Sequence, residues 1–135
     1  MADITVTAAN VALVSGSKQT GIAGETVTAG QSLYLKAADD RLWLADTDSS
    51  AATTTCIGIA LNNASAAQPL TYAGSGATVN MGATLVVGVY VLSGTAGGVA
   101  PVADLAASDW VTILGTATTT ANLALSIQVS GAQVA

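Results

Sequence analysis

Histidine and phenylalanine are absent from this chain, cysteine occurs once, and only 8% of the residues are charged. Each shortage excludes something. Without histidine, the commonest general base and metal ligand is missing. A single thiol leaves no internal disulfide framework. It lies in the apolar run Cys56-Ile57-Gly58-Ile59-Ala60-Leu61, where a buried, inert cysteine is expected. The only cations are Lys18, Lys36 and Arg41, and the net charge is −5. Binding to nucleic acid rests on neutralising several phosphates, so that partner is excluded. No apolar run reaches the roughly 18 residues of a membrane helix, so no membrane partner is expected. Asp3 stands where a secretory signal would be basic, and no apolar block follows it. The protein is expected to be made soluble.

Carboxylates are few, and seven of the eight are aspartates. Asp39, Asp40, Asp46 and Asp48 fall in turn-like stretches, where Asp is favoured for bonding to nearby backbone. Asp46-Thr47-Asp48-Ser49-Ser50 resembles the opening of a calcium loop. Ala51 at its sixth position and Ile57 at its twelfth exclude an EF-hand. Gly16-Ser17-Lys18 lacks the spacing of a phosphate loop. Asn63-Ala64-Ser65 fits a glycosylation acceptor in form only, since no secretory signal accompanies it. No catalytic residue, cofactor or metal site is expected, and the protein is read as not an enzyme.

What is present is β patterning with glycine punctuation. Short alternating stretches such as Gln31–Lys36 and Arg41–Ala45 read as a hairpin, and nothing carries a helical period except one turn at 105–108. The chain also repeats itself. Gly24, Thr26, Gly30 and Tyr34 return as Gly82, Thr84, Gly88 and Tyr90. Leu44-Ala45-Asp46 is answered by Val102-Ala103-Asp104, and Ile57-Gly58-Ile59-Ala60 by Leu114-Gly115-Thr116-Ala117. Leu70-Thr71-Tyr72 is answered by Leu125-Ser126-Ile127, so the blocks recur at offsets of 55 to 58. The expected fold is all-β: a compact β-barrel or β-sandwich of two tandem similar halves, residues 21–76 and 79–131, within one domain spanning 21–135. Neither half is large enough to be stable alone, so the two are expected to share a core.

Residues 1–20 read as an extended N-terminal arm. Ile4 and Val6, then Val11 and Leu13, are apolar positions that would be exposed if it hung free, and Gly16–Gly21 reads as a polar loop. The arm pairs either with its own sheet or with a neighbour; contact with another subunit or a larger shell through Ile4, Val6, Val11 and Leu13 is the expectation. Of the two tryptophans, Trp110 reads as core and Trp43, opposite Leu42 and Leu44 by alternation, as a candidate interface anchor.

The stretch Gly24-Glu-Thr-Val-Thr-Ala-Gly-Gln-Ser-Leu-Tyr-Leu35, with Leu42-Trp-Leu-Ala-Asp46, Ile57-Gly-Ile-Ala-Leu61 and Gly94-Thr-Ala-Gly-Gly-Val-Ala-Pro101, resembles the small capsid decoration, or cement, proteins of tailed double-stranded DNA bacteriophages. The resemblance runs over about residues 3–131. It implies a non-enzymatic protein on the outer surface of the virion capsid, made in the host cytoplasm and bound to the major capsid protein. It also implies a homo-oligomer, with a trimer favoured. Related β domains serve in head fibres and tails, so a receptor- or glycan-binding module is the alternative.

Overall fold

The computed structural model describes residues 3–46, 52–105, 107 and 109–134. Among them the alternating segments form antiparallel strands in two sheets and no α-helix. The strands are β1 (Val11–Ser15), β2 (Lys18–Ile22), β3 (Ser32–Lys36), β4 (Arg41–Leu44), β5 (Cys56–Ala60), β6 (Pro69–Ala73), β7 (Thr78–Met81), β8 (Gly88–Leu92), β9 (Val99–Pro101), β10 (Trp110–Ala117) and β11 (Asn122–Gln133). A five-stranded sheet has the order β2-β6-β5-β3-β4, and a six-stranded sheet has the order β1-β7-β11-β10-β8-β9. The architecture is an all-β sandwich.

With β1 set aside, the two orders coincide. In each sheet the first strand of a run of five pairs with the fifth, the fifth with the fourth, the fourth with the second, and the second with the third. The register agrees as well. Leu33 faces Gly58 and Leu44 across β3; Tyr90 faces Gly115 and Pro101 across β8. Each residue in the second set lies 57 positions after its counterpart. Both ladders then skip a residue: Tyr34 faces Cys56, and Val91 faces Ile113.

Glycine is needed at both irregularities. A Cβ on Gly58 would collide with the carbonyl oxygen of Ala73, and one on Gly115 with that of Ala124. Ala73 and Ala124 are themselves matched, since Ile59 faces Ala73 and Thr116 faces Ala124. The close approach of two backbones, with no side chain between them, bends each sheet at the same place.

This register differs from the one that residue likeness predicts. Tyr90 occupies the place of Leu33, not of Tyr34, because position along the ladder decides which way a side chain points. Leu33 and Tyr90 are both buried, whereas Tyr34 is only half-buried. Tyr72 is matched by Leu123, not by Ile127, because the connection from β10 to β11 is the shorter of the two. The β8–β9 loop, 93–98, is longer than its counterpart, 37–40, because pairing in the β3–β4 hairpin runs one step past Leu35–Leu42, the match of Leu92–Val99, to Lys36–Arg41.

Two apolar clusters hold the chain. The larger joins both sheets, with Cys56, Ile59 and Ala73 from one and Val79, Met81, Tyr90, Leu92, Leu114 and Leu123 from the other. The smaller, Val27, Leu33, Leu42, Ala60 and Leu70, lies within the five-stranded sheet. That sheet curls until its edges meet, where Ala23 bridges to Leu42. Cross-links between the sheets are polar as well as apolar. Thr112 donates from Oγ1 to the Thr54 carbonyl at 2.7 Å, Ser32 N–H donates to the Gly97 carbonyl at 3.0 Å, and Gly97 N–H donates to the Ala45 carbonyl at 2.7 Å.

Candidate interaction surface

The sequence placed Ile4, Val6, Val11 and Leu13 on an arm, and the structure folds that arm back on its own chain. β1 adds to the edge of the six-stranded sheet, with Val11 opposite Met81 and Leu13 opposite Val79. Ile4, Val11 and Leu13 pack against the larger core, and Val6 rests on Gly30. The expected polar loop at Gly16–Gly21 is mostly strand. Only Gly16 and Ser17 turn the chain, and Lys18–Ile22 pairs in full register with Pro69–Ala73.

The arm closes an edge. In the five-stranded sheet, the outer side of β4 is covered by the segment that follows β2. Gly24 N–H donates to the Leu42 carbonyl at 2.8 Å, and Leu44 N–H donates to a Glu25 carboxylate oxygen at 3.0 Å. The matching connection after β7 is shorter, Gly82–Val87 against Ala23–Gln31, and it does not cover β9. There Ile4 N–H donates to the Val99 carbonyl at 2.9 Å, and Val99 is the counterpart of Leu42. Ser93 Oγ donates to the Asp3 carboxylate and Thr7 N–H to the Gly82 carbonyl, which fixes the arm at two further points.

Trp43 is half-buried and engaged within its own hairpin. Its Nε1–H points at the Asp39 carboxylate, 3.2 and 3.3 Å from the two oxygens, and Lys36 Nζ lies 4.4 Å from the ring centroid. Gly24 packs so closely on the indole that a Cβ there would overlap it. Trp110, expected in the core, is half-buried and belongs to neither apolar cluster. It sits at the start of β10 opposite Gln133, near the end of the β10–β11 hairpin, where β11 is exposed from Gln128 to Gln133.

Beside Trp43, Tyr34 titrates above its ordinary range, chiefly because burial penalises the phenolate. The negative charges of Glu25, Asp46 and Asp39 add to this. Burial pushes the Cys56 thiol up to about 12, which makes it inert at neutral pH. Asp46 bonds to Thr53 Oγ1, while Asp48 and the rest of residues 47–51 lie outside the described residues. Part of the helical turn expected at 105–108 does so too. Among the described residues, no three His, Cys, Asp or Glu side chains converge as a metal site would require. Asn63, in the glycosylation-like triplet, uses its Oδ1 to accept from Ala29 N–H at 2.9 Å.

Two surface features remain. One is an open polar groove of about 580 Å³ along the arm, lined by Thr5, Thr7, Asn10, Asn80, Gly82, Ala83 and Thr84. The other is an apolar patch around the start of β8. Val86 is 76% exposed, Val87 63%, Val89 38% and Val102 45%. Val89 precedes Tyr90 and Val102 follows Pro101, the last pair of the β8–β9 ladder, so both valines lie at that end of it. The patch carries no charge. Residue alternation did not single it out, because a Val-Val-Gly-Val run reads equally well as a buried strand.

The chain matches no family model, and no curated protein resembles it significantly. What the fold and surface define is a class: an all-β, weakly charged protein whose most distinctive exposed feature is an apolar patch.

Proposed function

We propose that this protein is a non-enzymatic structural component of a virion. It decorates the outside of a bacteriophage head, binds the major capsid protein and acts as a homo-oligomer, most simply a trimer. It is built from an internal duplication of a five-strand unit. The observation that carries the reading is the uncharged valine patch on a protein of which only 8% is charged. Contiguous exposed apolar surface on a stable domain marks a contact with another protein, and depletion of charge is typical of the core of such contacts. The motifs quoted above, from Gly24 to Pro101, supply the link to decoration proteins. A protein that binds only the assembled shell stabilises it by RT ln(1 + [L]/Kd) per site.

The polar groove beside the arm supports a second reading, a receptor- or glycan-binding module of a head fibre or tail. Its Thr and Asn side chains can hydrogen-bond hydroxyl groups, but no aromatic side chain lines it for a sugar to stack on. Sedimentation of the purified protein with heads, with tails and with host cells separates the two. Co-sedimentation with heads, together with a higher disruption temperature of the decorated shell, is expected. Retention on tails or cells alone would overturn the decoration reading in favour of the second.

A further inference from the structure

We infer that the valine patch is the receiving side of a head-to-tail contact between copies of this chain. Its donor is the end of the β3–β4 hairpin of the next copy. The contact deepens the homo-oligomer of the proposed function and needs no capsid to be tested.

The inference comes from a contact that the molecule already makes once, internally. The loop at the end of the β8–β9 hairpin seats on the five-stranded sheet, where Gly97 bonds to both Ser32 and Ala45. Ser32 and Ala45 are both 0% exposed as a result. Their counterparts 57 residues on are Val89 and Val102, half of the valine patch, which stay 38% and 45% exposed. One of two matched receiving sites is filled and the other is open.

The donor side shows the same asymmetry. Leu92, at the end of the docked hairpin, is 0% exposed; its counterpart Leu35 is 50% exposed. The two hairpins enclose the same number of residues beyond the matched pairs Leu35–Leu42 and Leu92–Val99, and each has a left-handed residue at the same place. Gly97 takes a left-handed φ of +76°, and the residue 57 positions earlier, Asp40, takes φ +55°. A non-glycine residue in that region is uncommon, so the shared conformation reflects a shared loop shape. Asp39 turns its carboxylate back onto its own hairpin, where Trp43 Nε1–H and Arg41 N–H donate to it.

The chain is therefore an alternation of two like units with one junction made and the complementary faces of the next left exposed. Leu35 and the four valines account for most of its large exposed apolar side chains. Their coincidence with the two unfilled faces argues for a second copy as occupant. A contact of this kind is heterologous, so copies add in one direction until the rotation closes a ring. Closure at three copies gives the trimer proposed above.

The test uses the full chain without heads, by sedimentation equilibrium. Wild type is expected to be oligomeric, and Leu35→Asp and Val87→Asp each monomeric with far-UV circular dichroism and melting unchanged. Mixing the two variants is decisive: one carries an intact receiver and the other an intact donor, so the mixture forms a dimer and nothing larger. Ala38→Asp and Val86→Asp, both at exposed loop positions, replace either variant if it fails to fold. A monomeric wild type overturns the inference. So does loss of assembly in Val87→Asp but not in Leu35→Asp, the signature of a patch packing on itself. A mixture that stays monomeric overturns the head-to-tail pairing. Capsid binding is scored separately, so its failure leaves these outcomes readable.

Discussion

At the scale of single residues, Gly58 and Gly115 are the positions with least freedom. Each lies where one strand presses on the carbonyl of its neighbour, and backbone cannot yield as a flexible side chain can. Gly58→Ala and Gly115→Ala are each expected to cost about 1–3 kcal/mol, the usual penalty for overpacking. Gly74→Ala, whose Cβ would meet only ordinary contact with the Ile57 carbonyl, serves as the control, and urea unfolding measures all three. Cys56 makes a second prediction. Its thiol is raised from 9.0 to about 12 by burial. Above pH 9 the unfolded chain loses that proton while the folded chain keeps it, so stability falls as pH rises. The contribution is fully present below pH 9 and lost by about 12. Tyr34 shifts in the same direction, so the Cys56 part is the difference between wild type and Cys56→Ala. Wild type should lose more stability between pH 8 and pH 11, and a thiol reagent should stay unreactive until the protein unfolds. Equal pH slopes for the two proteins would refute it.

At the scale of elements, the arm is a working part of the six-stranded sheet. Ile4 does for β9 what Gly24 does for β4, because the chain after β7 is too short to do it. Deleting residues 2–7 uncovers the β9 edge and removes the partly buried Ile4 and Val6, a loss of about 2–3 kcal/mol. The effect should be local: amides of β8 and β9 exchange faster, while those of β3 and β4 keep their protection. Uniform loss of protection, or none, would show that the arm has no such role.

How far these elements can be read from sequence follows from their patterning. β3 and β4 are legible because Leu33 and Leu42 alternate with Tyr34 and Trp43. β5 and β10 are legible from apolar runs interrupted by glycine. β2 and β7 are not. Gln19 and Thr20 are exposed, so Lys18–Ile22 shows no apolar face, and Thr78–Met81 is too short to signal its buried Val79 and Met81. Yet these are the strands that make the two sheets alike, and only pairing reveals them. The valine patch was hidden for the opposite reason: its sequence looks buried, and exposure is decided by what the rest of the chain fails to cover.

At the scale of the whole molecule, the question is whether two like units behave as two domains or one. Several observations favour one. The larger apolar cluster takes residues from both sheets, so neither sheet completes a core alone. Thr112 Oγ1 and Gly97 tie the sheets through hydrogen bonds between residues far apart in sequence. A unit of under 60 residues lies near the lower limit of self-sufficient folding, since it buries only about 60% of the surface its unfolded chain exposes. Unfolding should therefore be a single transition, with calorimetric and van't Hoff enthalpies in agreement. Residues 1–76 expressed alone should lack cooperative melting, because Cys56, Ile59 and Ala73 would face water in place of Leu92 and Leu114. Thr112→Val probes the same junction more gently. It leaves the buried Thr54 carbonyl without this donor, at a cost of about 1–3 kcal/mol, and the transition should move to lower temperature without splitting. Two resolved transitions in that variant would mean that the sheets fold independently and that the shared core contributes little to joining them.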